Sequence, residues 1–150
     1  MPKPPRSSSP IWKLVNAGAA LNVQLYRLSG GRIGGRLQQA RVLLLHHVGR
    51  KSGTARVTPL LYLPDGERLV IVASKGGTDK HPAWFHNLMA APETTVEVGR
   101  DKRRVRARQA GDDERAQLWP RLVEIYSPYA EYERYASGSR RIPVVVLDPA

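Results

Sequence analysis

Pro64-Asp65-Gly66 separates two apolar runs, Arg56 to Leu63 and Glu67 to Ala73, the second centred on Val70, Ile71 and Val72. Asp-Gly reverses a chain within one tight turn, so the flanking runs are forced to pair as antiparallel strands. The same logic applies to Thr94 to Gly99 and Lys102 to Gln109, joined through Arg100-Asp101. In the latter, Val105 and Ala107 share one face while Arg104, Arg106 and Arg108 share the other, which is the period of a half-exposed strand. Arg41 to Val48, closed by Gly49, and Arg141 to Leu147 read as further buried strands.

Helical signals lie between and around these runs. Ile11, Leu14, Val15, Leu21, Leu25 and Leu28 recur at helical spacing and stop at Ser29-Gly30-Gly31. His81 to Met89 is a short helix with Pro82 in its first turn, and Asp112 starts a helix to about Tyr126 that Pro120 splits or kinks. About six mostly antiparallel strands with three or four helices predict an α+β chain built as a β-barrel with flanking helices.

At 150 residues the chain supports one core. A tail over residues 1–9 and a single domain over 10–150 are expected, the tail being rich in Pro and Ser. No cysteine is present, which removes disulfides and thiolate chemistry. Met1-Pro2-Lys3-Pro4-Pro5-Arg6 leads into Ser7-Ser8-Ser9 rather than the apolar core of a signal peptide, and no run reaches the ~18 apolar residues of a membrane span. The expected location is the cytoplasm. Residues 11–28, with Trp12 and Tyr26 near the ends and basic residues beside them, are either a cap on the core or a peripheral contact at the inner membrane face.

The net charge of +11 suits an anionic partner. Its most directed expression is two basic glycine turns that follow strands: Gly49-Arg50-Lys51-Ser52-Gly53 and Ser74-Lys75-Gly76-Gly77. Each offers amide N–H groups, a hydroxyl and a fixed cation, the ingredients of a phosphate or carboxylate grip. Neither has the spacing of a Walker loop. A nucleic-acid ribbon over Arg100 to Arg108 is disfavoured because no aromatic interleaves the arginines. Tyr126, Tyr129, Tyr132 and Tyr135, spaced by three, are expected on one helical face as the lining of a flat aromatic pocket. His46 and His47 are adjacent on a strand and His81 and His86 are five apart, so neither pair makes a metal site. No G-x-S-x-G hydrolase motif occurs.

The blocks GRKSGTARVTPLLY, VASKGGTDKHPAWFHNL and the tyrosine series followed by RRIPVVVLDP resemble the deazaflavin-dependent nitroreductase family, mainly actinobacterial quinone and nitro-compound reductases. The resemblance covers about residues 10–149. It implies a split β-barrel and coenzyme F420, whose reduced form passes a hydride to a small quinone-like or other electron-poor acceptor. It also implies that Arg50, Lys51 and Ser52 hold the phosphate region, that Arg56, Val57, Thr58, Pro59, Leu60 and Leu61 run beside the deazaflavin, and that Val72, Ala73, Ser74 and Lys75 cover its other edge. Ala83, Trp84, Phe85, His86 and Asn87 would form the helical side, with Trp84 against the ring or tail, and Tyr129 would close the pocket. Ser74 would hydrogen-bond the acceptor or deazaflavin while Tyr126, Tyr129 and Tyr132 shape the acceptor pocket. A monomer is expected. Some relatives carry tyrosine where this chain has Leu61, which separates it from acceptors that need a hydroxyl there. The alternatives are an FMN-binding split barrel and a non-catalytic protein that binds F420 or nucleic acid.

Overall fold

A computed structural model describes residues 23–32 and 34–150. Expectations for residues 1–9 and 11–22 fall outside the described residues. Residues 23–29 are helical (α1). They lead into β1 (Arg36–Leu37), β2 (Ala40–Val48), β3 (Ala55–Asp65) and β4 (Arg68–Val72). After a 3-10 turn at Lys75–Gly77 come α2 (Ala83–Ala90), β5 (Glu93–Val98), β6 (Asp101–Gln109), α3 (Asp112–Ile125), α4 (Pro128–Ala136) and β7 (Val144–Pro149).

The strand order is β1-β2-β3-β4-β7-β6-β5, and β2 also pairs with β5, so six strands close into an antiparallel barrel. Asp65 pairs with Arg68 across the Asp-Gly turn, as its sequence requires. Closure itself rests on two residue pairs, Leu44 with Glu97 and Leu45 with Val96. The two-residue β1, which carries no periodicity of its own, extends the sheet beyond that seam.

Alternation along each strand separates an interior from an exterior. Leu43, Leu45, Tyr62, Ile71, Val96, Val145 and Leu147 fill the barrel, and Trp84, Phe85 and Leu88 of α2 plug one end of it. Outward-facing Val70, Val72, Val144 and Val146 are covered by Leu118 and Leu122 of α3 and Tyr129 of α4. Leu44 lies under Val23 and Tyr26 of α1. Each fully buried Leu or Val adds about 1.5–3 kcal/mol, so three linked cores hold one barrel.

Two helical expectations change. Helix α3 runs unbroken through Pro120. It stops instead at Tyr126, whose φ of −149° and ψ of 92° are extended, and Pro128 then opens α4. Tyr129, Tyr132 and Tyr135 therefore share α4 at the expected spacing, and only Tyr126 stands apart, at the junction that precedes it. For α1, Tyr26 explains why the described part sits on the barrel. Its hydroxyl donates to the Val42 carbonyl (3.0 Å) and accepts from the Gly99 amide (2.7 Å). Arg27 adds a two-pronged bond to Glu97, at 3.2 and 2.7 Å.

Candidate active site

The two faces of β3 divide the residues expected beside the cofactor. Arg56, Thr58 and Leu60 oppose His47, Leu45 and Leu43 and share their inward face. Val57 packs in the α1 core and Leu61 beside the tyrosines, so Val57, Pro59 and Leu61 form the outward face. All three are half-buried. They make an apolar strip from the Gly49–Gly53 turn to the tyrosine cluster.

The turn at the head of that strip is built by its glycines. A side chain at Gly49 would stand 2.4 Å from the Ser52 hydroxyl, and Gly53 has φ +71°. Ser52 Oγ accepts from the Thr54 amide (3.2 Å), leaving its O–H free to donate. Arg50, Lys51 and Arg56 are exposed and have no carboxylate partner among the described residues. The same count covers the Lys51 and Ser52 amides, which bond to nothing there.

A buried relay positions this loop. The Arg50 amide donates to Asn87 Oδ1 (3.0 Å), Asn87 Nδ2 donates to His47 Nδ1 (3.1 Å), and His47 Nε2 donates to Thr58 Oγ1 (2.8 Å). This order requires a neutral imidazole. Burial, with Arg56 and His46 as smaller causes, lowers the His47 pKa to about 4, so the ring is neutral near pH 7. Asn87 thus reaches the cationic loop by holding its backbone.

At the other end of the strip, Lys75, Gly76 and Gly77 all have positive φ: 41°, 64° and 78°. A Cβ at Gly77 would meet the Tyr132 carbonyl at 2.5 Å. Glycine there lets α4 close on the turn. Arg140 clamps the turn from below. Its guanidinium donates to the carbonyls of Ala73 (2.9 Å), Ser74 (2.6 Å) and Thr78 (2.9 Å) and to His81 Nδ1 (3.0 Å). The half-buried Ser74 hydroxyl makes no hydrogen bond among the described residues.

Tyr126 and Tyr129 meet edge-on at 5.0 Å, Tyr129 and Tyr132 at 6.2 Å, and the hydroxyls of Tyr126 and Tyr132 lie 3.1 Å apart. Burial raises the pKa of Tyr129 and Tyr132, so both keep their protons. Tyr129 is only 4% exposed and supports the cluster from inside.

Other expected residues lie elsewhere. Trp84 and Phe85 are core residues in the barrel plug, 6% and 7% exposed, so the Trp84 ring is not a free wall. Val72 and Ala73 are buried, Ala83 is exposed and His86 half-buried. Arg140 and His47 were not legible as site residues. Arg140 sits in a basic doublet with Arg141, and the partners of His47 are 11 and 40 residues away. Among the described residues no three His, Cys, Asp or Glu converge as a metal site, and no helix is long and apolar enough to cross a membrane. On the arginine face of β6, Arg106 pairs with Glu93 and Arg108 with Glu114 and Asp148, while Arg104 bonds the neutral Thr95 hydroxyl.

A profile of the F420H(2)-dependent quinone reductase family matches residues 19–149. A Mycobacterium tuberculosis protein named F420H(2)-dependent quinone reductase is 43% identical over 131 residues, 85% of this chain and 87% of that one. A solved F420-H2 dependent reductase (FDR-A) is 37% identical, with TM-score 0.64, over 71% of this chain and 93% of that one. A second solved structure, described as a domain-swapped dimer, is 32% identical, with TM-score 0.67, over 93% of this chain and 100% of that one. Barrel, loop chemistry and sequence similarity agree: the chain belongs to the F420H(2)-dependent quinone reductase family.

Proposed function

We propose that this protein reduces a quinone-like acceptor at the strip between the Gly49–Gly53 turn and the tyrosine cluster, with reduced F420 as donor. The observation that carries the reading is the polarity of the strip. Unpartnered Arg50, Lys51 and Arg56 stand at one end, a flat apolar floor at Val57, Pro59 and Leu61 lies between, and a Ser74 hydroxyl with no partner among the described residues stands beside the tyrosines. A flat ring with a phosphate and polyanionic tail fits that order of surfaces.

The bound deazaflavin supplies the hydride. The residues supply position and electrostatics. Arg50, Lys51 and Arg56 bind the tail, and the free Lys51 and Ser52 amides take phosphate oxygens. Ser74 Oγ donates to the acceptor oxygen, where negative charge develops as the hydride arrives. Tyr126 and Tyr132 hold a neutral hydroxyl pair beside it and keep water out. Leu61 adds no hydroxyl to this wall, which favours a quinone over a nitro compound.

The test is oxidation of F420H2 by menadione under anaerobic conditions, with cofactor binding measured separately. Lys51→Ala should weaken cofactor binding roughly ten- to a hundredfold, the worth of one charged hydrogen bond. Ser74→Ala should retain binding and slow turnover. Tight binding of FMN with none of F420 would overturn the cofactor; full turnover in Ser74→Ala would remove its role.

A further inference from the structure

The arginines of this protein are sorted. Arg27, Arg68, Arg103, Arg106, Arg108, Arg115, Arg121, Arg134 and Arg141 each pair with a carboxylate. Of the described arginines outside the proposed cofactor loop that lack a carboxylate, Arg104 bonds the Thr95 hydroxyl, whereas Arg36 and Arg41 lie together at the opposite end of the barrel, with Arg100 near them. Arg36 and Arg41 are direct cross-strand partners of β1 and β2, both exposed, and neither has a carboxylate partner among the described residues. No Asp or Glu occurs in residues 1–22 either. Like charges placed opposite one another on a sheet repel, and no described carboxylate forms an ion pair with either member.

Arg36 and Arg41 line a cavity of about 290 Å³. The buried Tyr26 and Tyr62 back this open cleft, and Gly31 and Gly99 contribute bare backbone. Glycine suits the lining because φ is +64° at Gly30 and +87° at Gly31, where a Cβ would also meet Gly99 Cα at 3.1 Å; the movable guanidinium of Arg100 lies beside Gly30. Tyr26 fixes one wall through its bonds to Val42 and Gly99. The nearest acid on β5, Glu97, is taken up by Arg27 and His46. Arg41 and His47 are separated by ~20 Å of strand at ~3.3 Å per residue, so this cavity and the cationic loop are separate places.

The geometry points to a second anion site here, for a phosphorylated small molecule or the phosphate of a lipid headgroup, gripped between Arg36 and Arg41 with Arg100 at the rim. Two guanidiniums from facing strands match the bidentate recognition of phosphate oxygens. The cleft has room for a group the size of a phosphate ester beside the bare backbone of Gly31 and Gly99.

Full-length protein is titrated with inorganic phosphate, then with glycerol 3-phosphate, while amide NMR shifts are followed. Saturable shifts at Gly31, Gly35 and Gly99 are expected, weakened about ten- to a hundredfold in Arg41→Gln and unchanged in Lys51→Ala. Arg36→Gln, an exposed position, should raise thermal stability without phosphate and shrink the gain that phosphate gives. Co-sedimentation with phosphatidylcholine vesicles, with and without phosphatidylglycerol, separates the sources. Arg41-dependent capture by the anionic vesicles alone identifies a headgroup; binding of the soluble ester without capture identifies a metabolite. The site is overturned if neither phosphate nor anionic vesicles perturb these amides, or if the response is the same in Arg41→Gln.

Discussion

Arg140→Lys isolates what the guanidinium does under the Ser74 turn. It preserves the charge but not the reach. The fork spans three carbonyls, from Ala73 to Thr78, and the His81 ring at 2.6–3.0 Å. An ammonium donates from one point and cannot serve all four. A hydrogen bond from a charged donor is worth about 1.5–3 kcal/mol. Losing two of the four predicts a destabilisation of about 3–6 kcal/mol, or roughly 6–24 °C in Tm for a domain of this size. The turn also sets the Ser74 hydroxyl, so turnover of the cofactor-loaded enzyme should fall more than cofactor affinity does. Urea unfolding with apo protein gives the first quantity; kcat and cofactor Kd give the second. If Arg140→Lys unfolds at the parental midpoint with parental kcat, the clamp is a surface bond and its role in placing Ser74 is wrong.

Two further outcomes rest on single positions. Gly77→Ala combines φ +78° with a Cβ 2.5 Å from the Tyr132 carbonyl, so it should cost about 2–5 kcal/mol from strain and overlap together; Gly53→Ala, at φ +71° in open space, should cost only about 1–2 kcal/mol, and equal denaturation midpoints would refute the contrast. His47 is neutral in folded and unfolded chains above pH 6.5, but between pH 6.5 and about 4 only the unfolded chain takes a proton. Stability should therefore fall as pH drops through that window, by about 3 kcal/mol in all at about 1.4 kcal/mol per pKa unit, then level off. His47→Gln should flatten that part of the profile, and an unchanged slope would remove His47 as its source.

The hairpins were legible because their turns are local: Asp65-Gly66 dictates a reversal whatever surrounds it. The turn at Gly49–Gly53 was legible as a turn because two glycines lie within five residues, and the structure places Arg50 and Lys51 exposed on it. What spacing could not reveal is which side of a strand meets which helix. Trp84 reads as an aromatic wall until α2 is seen to plug the barrel, and only β3 register shows that Val57, Pro59 and Leu61 look outward while Thr58 and Leu60 look in. The spacing of three places Tyr129 and Tyr132 together on α4, whereas Tyr126 joins them through the extended backbone that ends α3, which spacing alone does not show. Arg140 and His47 act through partners distant in sequence, and no local pattern announces them.

The seam between β2 and β5 gives the barrel a preferred line of tearing. Two residue pairs close it, against eight between β2 and β3. Glu97 acts as a rivet across that line, joined to His46 on β2 at 2.7 Å and to Arg27 on α1 at 2.7 Å. Unfastened, the cylinder unrolls into a flat ribbon with every other strand contact intact and two bare edges exposed. Bare edges recruit strands from neighbouring molecules. A handful of side-chain bonds, from Glu97 and from the Thr94 hydroxyl to the His46 carbonyl (2.6 Å), therefore separates a barrel complete in one chain from a barrel shared between two.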